Sequence, residues 1–241
     1  KALAIREAVL AKNHPDLATS YNNVSIIYKA MGQLDRALEF QLKALAIREA
    51  VLAKNHPDLA TSYNNVSLIY KDMGQLDGAL EFQLKTVDIF EAVLAKNHPF
   101  LATSYNNVSM IYQDMGQLDR AWEFQLKALP IREAVLAKKH PSLATSYNNV
   151  SLIYQAMGQL DRALEFQLKT VDIFEAVLAK NHPDLATSYN NLSTLYFQMD
   201  DNASALAYAE KAVAILQQLF PNGHPNLDLY KGNLEILKKI K

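Results

Sequence analysis

The distribution of apolar residues predicts helices along the whole chain. A first stripe has the i, i+3, i+4, i+7 spacing of one buried helix face and comprises Tyr21, Val24, Ser25 and Tyr28. A second segment, from about Leu34 to Lys54, carries a stripe of its own, made of Leu34, Ala37, Leu38, Gln41, Ala44 and Leu45. No apolar run is long enough to span a membrane, so the pattern predicts packed amphipathic helices.

The two-helix pattern repeats every 42 residues. The six histidines keep this spacing, and a proline follows each of them: His14, His56, His98, His140, His182 and His224. Proline suits the first helical turn and the residue before it avoids the α region, so each pair predicts a helix start. Glycines at the same spacing predict the end of the first helix: Gly32, Gly74, Gly116 and Gly158. A fixed period of this length predicts a stacked array.

The period defines a single repeat domain, 1–241. Five full repeats are predicted at 14–55, 56–97, 98–139, 140–181 and 182–223. We expect residues 1–13 to be the second helix of a preceding repeat and residues 224–241 to be a C-terminal capping helix. This division predicts twelve helices, and a start inside a second helix indicates the C-terminal part of a longer array.

Large, small, aromatic, glycine and alanine positions recur in a fixed order within each unit: Tyr21, Val24, Ser25, Tyr28, Gly32, Leu34, Ala37 and Ala44. This order resembles the tetratricopeptide repeat, in the 42-residue subtype found in kinesin light chains. The resemblance implies an all-α, right-handed superhelical solenoid of antiparallel helix pairs that binds proteins. The usual repeat has about 34 residues, and we expect the additional ones here to extend the second helix through Arg48 to Asn55.

Composition narrows the function classes. A net charge of −1 predicts no nucleic-acid partner, and the absence of cysteine is compatible with a reducing, cytoplasmic or otherwise intracellular location. Histidines spread along an array do not converge on a metal, so we predict no metal or cofactor site. No phosphate-binding glycine loop or separate serine–histidine–acid set occurs, which predicts that the chain is not an enzyme.

Paired asparagines are the main candidate for a binding site. The resemblance places their side of the first helix in a concave groove, together with an aliphatic row and a row that begins with lysine. The candidate groove residues are Asn22, Asn23, Ile26, Lys29, Asn64, Asn65, Leu68, Lys71, Asn106, Asn107, Met110, Gln113, Asn148, Asn149, Leu152, Gln155, Asn190 and Asn191. An amide can pair with the backbone of an extended peptide. Alternatively, one asparagine of each pair bonds to the adjacent repeat, and both interpretations remain open.

A longer period lies within the array. The second helices alternate between two sequences, so that Arg48 and Arg132 occupy the position of Phe90 and Phe174. These phenylalanines are either apolar spots on the outer surface or side chains that fill gaps between neighbouring helices. Packing favours the second interpretation.

Two functions follow from these patterns. The first is a protein-interaction scaffold whose groove binds an extended peptide of a protein partner, with no membrane partner. The second is a structural array that associates with itself as a homodimer through the uncapped N-terminal end. There an apolar face is expected to be uncovered, made of Ala2, Leu3, Ile5, Val9 and Leu10.

Overall fold

A computed structural model of the chain describes residues 2–240, except for the side chain of Ala2. Within this range twelve α-helices follow one another, and no strand is present. The helices are α1 Ala2–Val9, α2 Pro15–Ala30, α3 Leu34–Val51, α4 Pro57–Asp72, α5 Leu76–Val93, α6 Pro99–Asp114, α7 Leu118–Val135, α8 Pro141–Ala156, α9 Leu160–Val177, α10 Pro183–Gln198, α11 Asn202–Leu219 and α12 Pro225–Ile240. The predicted all-α array of helix pairs is therefore confirmed.

The first helix of each repeat begins at its His-Pro pair. In the second repeat, His56 has an extended backbone, Pro57 is the first helical residue, and the His56 Nδ1 accepts a hydrogen bond from the Asp58 amide at 3.1 Å. The other five histidines make the same contact. The imidazole satisfies an amide that the helix leaves without a partner, so the histidines act as helix caps.

The first helix ends in a left-handed turn. Gly74 has a φ of 72°, and the amide after it, that of Gln75, donates to the Tyr70 carbonyl at 2.9 Å. Glycine adopts this conformation without strain, which explains its place in four of the repeats. The fifth repeat has Asp200 there, with a φ of 63°.

The second helix is shorter than predicted. The α3 helix ends at Val51, and Leu52 is extended with φ −100° and ψ 153°. A turn then closes with a 2.9 Å bond from the His56 amide to the Ala53 carbonyl. The predicted extension to Asn55 is therefore wrong beyond Val51, because the chain needs these residues to reverse before the next His-Pro pair.

Small residues let the two helices of a pair approach closely. The Ser67 hydroxyl on α4 donates to the carbonyl of Ala79 on α5 at 2.7 Å, and both residues are fully buried. Beside this contact, the Tyr70 ring stacks on Phe82 with centroids 5.7 Å apart. Both contacts recur in later repeats, so they fix the pair geometry on which the candidate site depends.

The first repeat is less covered than the others. Val24 is only half-buried, whereas its equivalents Val66 and Val108 are fully buried. Within the first unit, α4 and α6 each follow another first helix of the array, whereas no first helix precedes α2 in the described chain. The predicted buried stripe at Tyr21, Val24 and Tyr28 is therefore only partly buried, although Ser25 is fully so.

The chain divides into two compact units, one up to Ile131 and one from Arg132. In the first, α2 packs on α3, α3 on α4, α4 on α5 and α5 on α6. In the second, the helices from α8 to α12 pack in the same successive manner. The division falls inside α7, which continues through Pro130. None of the described helices is long and apolar enough to cross a bilayer.

Candidate peptide-binding face

Four positions of each first helix lie on one side, which we name the first-helix face. They follow the histidine of the repeat by 5, 8, 12 and 15 residues, a spacing that keeps them in one row along a helix. In the second repeat they are Thr61, Asn64, Leu68 and Lys71, all exposed or half-buried. The face therefore presents a hydroxyl, an amide, an aliphatic chain and an ammonium group in order.

Within each unit, an amide ladder joins successive repeats along this face. The Asn65 Nδ2 donates to the Asn22 Oδ1 at 3.0 Å, and Asn107 donates in the same way to Asn64 at 3.0 Å. In the second unit, the corresponding bonds join Asn191 to Asn148 and Asn233 to Asn190. In these four pairs, the first asparagine of one repeat accepts from the residue at the second asparagine position of the next repeat.

The ladder leaves part of each amide available. One bond uses one donor hydrogen and one lone pair, whereas each side chain carries two donors and a carbonyl with two lone pairs. Asn22 and Asn65 are only partly buried, so solvent or a ligand can reach the remaining groups. A link between repeats and a contact with a ligand are therefore compatible in one side chain.

Asn106 is an exception among the candidate residues. It is 7% exposed, and its Oδ1 accepts a bond from the buried Gln125 Nε2 at 3.0 Å. Its Nδ2 donates to the Met110 Sδ at 3.4 Å. Asn106 therefore points into the helix packing and contributes little to the accessible part of the face.

Ion pairs form a second ladder two helical turns further along. The Lys29 ammonium lies 2.9 Å from the Asp72 carboxylate, and Lys71 lies 2.9 Å from Asp114. In the second unit, Gln155 donates to Gln198 at 2.9 Å at the corresponding position. Both lysines of the candidate site are thus paired with an aspartate of the next repeat, so their charge on the face is largely neutralised.

The aliphatic row lies between the two ladders. Ile26 is 56% exposed, and the other members are half-buried: Leu68, Met110, Leu152 and Thr194. Gln113 is half-buried in the lysine row, and Phe197 closes that row with 41% exposure. The face therefore offers a narrow apolar strip with polar groups on both sides, which suits a chain that carries both apolar side chains and backbone amides.

Sequence reasoning missed two features of this face. One is the threonine row, Thr19, Thr61, Thr103, Thr145 and Thr187, whose regular spacing was visible in the sequence. The other is a cavity beside Asn64 that contains Phe90 and Phe100. Phe90 and Phe174 are 6% and 7% exposed, so they are buried between helices and are not apolar spots on the outer surface. In the described part of the chain, no group of three histidine or carboxylate side chains is arranged to hold a metal.

Comparison with known proteins identifies the family. The family described as tetratricopeptide repeat matches residues 1–50, 27–92, 58–134, 100–176 and 142–218. These matches cover most of the chain, which therefore belongs to the tetratricopeptide repeat family. No curated protein matches the chain in sequence.

Solved structures show the same fold. A kinesin-light-chain-like protein with nearly identical TPR-like repeats from Podosopora anserina is 27% identical with a TM-score of 0.73, over 86% of this chain and 98% of that one. BtubC from P. vanneervenii is 23% identical with a TM-score of 0.75, over 88% of this chain and 84% of its own. Aspartyl phosphate phosphatase F from Bacillus subtilis is 20% identical with a TM-score of 0.74, over 98% of this chain and 58% of its own. The last two show similarity in fold alone.

Proposed function

We propose that this chain is a protein-binding scaffold whose first-helix face receives an extended peptide segment, and that it performs no chemistry of its own. The observation that best supports this proposal is the amide ladder, which lies beside the aliphatic row. The bonds between repeats use only some of the hydrogen-bond donors and acceptors of its asparagine side chains. An extended backbone presents an amide and a carbonyl at regular intervals, and asparagine can pair with both. The absence of cysteine is compatible with an intracellular location, which we retain as part of the proposal.

The paired charges support a ligand that is not selected mainly by charge. Lys29 and Lys71 would have to leave Asp72 and Asp114 before they could bind a carboxylate. An exposed ion pair contributes only about 0–1 kcal/mol. A lysine that exchanges its aspartate for a ligand carboxylate therefore adds little to the binding energy. The residues of the aliphatic row do not have to break an ion pair before they contact a ligand. In this proposal, the burial of apolar side chains of the peptide therefore contributes most of the binding energy.

Variants of the face test this proposal against a matched control. Peptides would be selected from a displayed random library on the immobilised chain, synthesised, and titrated by calorimetry. Asn64→Ala and Leu68→Ser are each expected to weaken binding about 10-fold, which corresponds to about 1.4 kcal/mol. Leu42→Ser, on the exposed side of α3, changes an equally large side chain away from the face and is expected to leave affinity unchanged. Equal losses in all three variants, or none in the first two, would reject the first-helix face as the binding site.

The asparagine variants also need a stability control, because they interrupt the ladder. Asn64→Ala removes one partly buried hydrogen bond, with an expected cost of about 0.5–1.5 kcal/mol. Asn106→Ala would leave the buried Gln125 Nε2 without its acceptor and is a poor probe of binding. A large loss of helicity in Asn64→Ala would assign that asparagine to structure instead.

The alternative proposal is self-association of the array. Its basis is the exposure of apolar side chains near the N-terminal end: Ile5 and Val9 on α1 are 62% and 71% exposed, and Ile27 on α2 is 59% exposed. Leu3 was also expected to be uncovered, but it is half-buried and packs against the core of the first repeat. In later repeats, the equivalents of Ile27 are buried: Ile69, Ile111, Ile153 and Leu195. Exposed apolar side chains of this kind favour association with a matching surface, such as the same region of a second copy.

Light scattering during size-exclusion chromatography separates the two proposals. Self-association predicts a dimer that dissociates on dilution and an Ile27→Lys variant that is monomeric at every concentration. Exposed Leu229, on α12, provides the control variant Leu229→Lys, which is expected to leave the dimer intact. A wild-type chain that remains monomeric at high concentration would remove this alternative.

A further inference from the structure

The contacts between consecutive repeats are of two kinds in the first unit. After α3, the Arg48 Nη1 donates to the Ser62 Oγ of the next repeat at 2.5 Å, so a guanidinium fills the junction. After α5, Phe90 occupies the arginine position. The serine of the following repeat, Ser104, then donates to the Leu101 carbonyl of its own helix at 2.9 Å. The second junction thus has an aromatic ring where the first has a polar link.

The aromatic junction contains a cavity. Its volume is about 210 Å³, and it is lined by Thr61, Asn64, Phe90, Phe100, Thr103 and Ser104. Thr61, Asn64 and Thr103 belong to the first-helix face, so the cavity opens beside the proposed peptide path. Pockets for drug-sized molecules have roughly 300–1,000 Å³, and this smaller volume suits a single side chain instead.

Phe100 makes the cavity different from the rest of the array. It is 58% exposed, while the other repeats have a polar residue at its position: Asp16, Asp58, Ser142 and Asp184. Its ring lies 5.9 Å from that of Phe90 and 5.0 Å from that of His98. Phe90 thus forms a mostly buried floor and Phe100 an exposed wall, at separations within the range of aromatic packing.

The second unit contains a related cavity that serves as a reference. It has a volume of about 260 Å³ and is lined by Thr145, Asn148, Phe174, Asp184, Thr187 and Ser188. Each of these residues corresponds to a lining residue of the first cavity after a shift of two repeats. Only one lining residue changes its chemical class, because Asp184 replaces Phe100. Comparing the two cavities therefore isolates the contribution of the exposed ring.

We propose that the cavity between α4, α5 and α6 anchors one aromatic side chain of the bound peptide. This inference rests on the proposed function, and it makes the aromatic residue of the peptide the main feature by which the chain selects its ligand. The incoming ring packs against Phe90 and Phe100, while Asn64 bonds to the peptide backbone beside it. An aromatic anchor in a preformed pocket is typical of residues that dominate binding energy.

Two variants that copy other repeats of the chain test the cavity with little risk to folding. Phe100→Asp introduces the residue of three other repeats, and Phe90→Arg introduces the residue that bonds to serine at the Arg48 junction. Their melting temperatures are checked first against wild type. Peptides are then selected from a displayed random library on the intact wild-type chain. Every selected peptide is synthesised in two forms, one unchanged and one with its aromatic residue replaced by alanine. Both forms are titrated against wild type and both variants.

The proposal predicts that the selected peptides share an aromatic residue and that each variant weakens binding about 10-fold. With the alanine peptide, wild type and variants are expected to bind alike, because the variants remove only the contact with the aromatic ring. A selection without aromatic preference, or full affinity in both variants, overturns the cavity assignment. If such peptides still lose affinity with Asn64→Ala, the proposed function survives without the cavity. If no peptide is selected at all, both proposals fail.

Discussion

A buried glutamine in four of the second helices, α3, α5, α7 and α9, leads to a prediction about stability. Gln83 on α5 is fully buried, and within the described chain neither its Nε2 nor its Oε1 has a hydrogen-bond partner. Gln167, the same position two repeats later, is equally buried, but its Nε2 donates to the Ser188 carbonyl at 3.2 Å. The two helices differ in sequence only where α5 has Gly78 and α9 has Arg162, but their glutamine amides differ in the number of hydrogen bonds that they make.

The expected magnitude follows from this difference. A buried polar group without a partner costs roughly 1–3 kcal/mol, and an apolar side chain of similar shape removes that cost. Methionine has a similar length and adapts to irregular spaces, so Gln83→Met is expected to raise the free energy of unfolding by about 1–2 kcal/mol. Gln167→Met also loses a hydrogen bond of about 0.5–1.5 kcal/mol, so its net effect is expected to be close to zero.

Urea denaturation followed by circular dichroism measures both variants under one condition. We expect a higher midpoint for Gln83→Met, an unchanged midpoint for Gln167→Met, and equal slopes for both variants and the wild type. A destabilised Gln83→Met variant would show that the Gln83 amide is hydrogen-bonded in solution, and the reasoning from its burial would then be refuted. A changed slope would show that the repeats no longer unfold together.

Two further predictions concern the backbone and the tyrosines. Pro130 removes the bond to the Leu126 carbonyl within α7, which costs up to about 3 kcal/mol in a regular helix, so Pro130→Ala is expected to raise the melting temperature; an unchanged or lower value would contradict this. Burial, and then hydrogen bonds to Glu49 and Glu133, raise the pKa of Tyr63 and of Tyr147 to about 12. Because an unfolded tyrosine has a pKa of about 10, this contribution to stability is complete below pH 10 and is lost as the pH rises towards 12. Urea midpoints across that interval should therefore fall less steeply in Tyr63→Phe than in wild type, and parallel curves would count against the shift.

The regular features of the fold were predictable from sequence because they are local. A histidine before proline, a glycine at a helix end and a small residue opposite alanine each act within one repeat. The end of α3 at Val51 was not predictable from apolar spacing, since Leu52 continues the pattern but adopts an extended backbone. Its conformation depends on the reversal of the chain before the next repeat.

The contacts between repeats were only partly predictable. The sequence placed Lys29 and Asp72 at neighbouring positions of the period, but their ion pair depends on the stagger between adjacent first helices. The same stagger brings Asn65 to Asn22. The sequence shows that Phe100 replaces the aspartate of other repeats. Only the structure shows that Phe100 and Phe90 line the same cavity.

The most direct test of the peptide-binding proposal is to map a selected peptide on the isotope-labelled chain by nuclear magnetic resonance. We expect the largest shift changes, and the contacts between peptide and protein, at the amide ladder and the aliphatic row of the first unit, including Asn64 and Leu68. Side chains on the exposed side of the second helices, such as Leu42 and Leu168, should remain unaffected. Contacts concentrated on the second helices, with the first-helix face unchanged, would contradict the proposal.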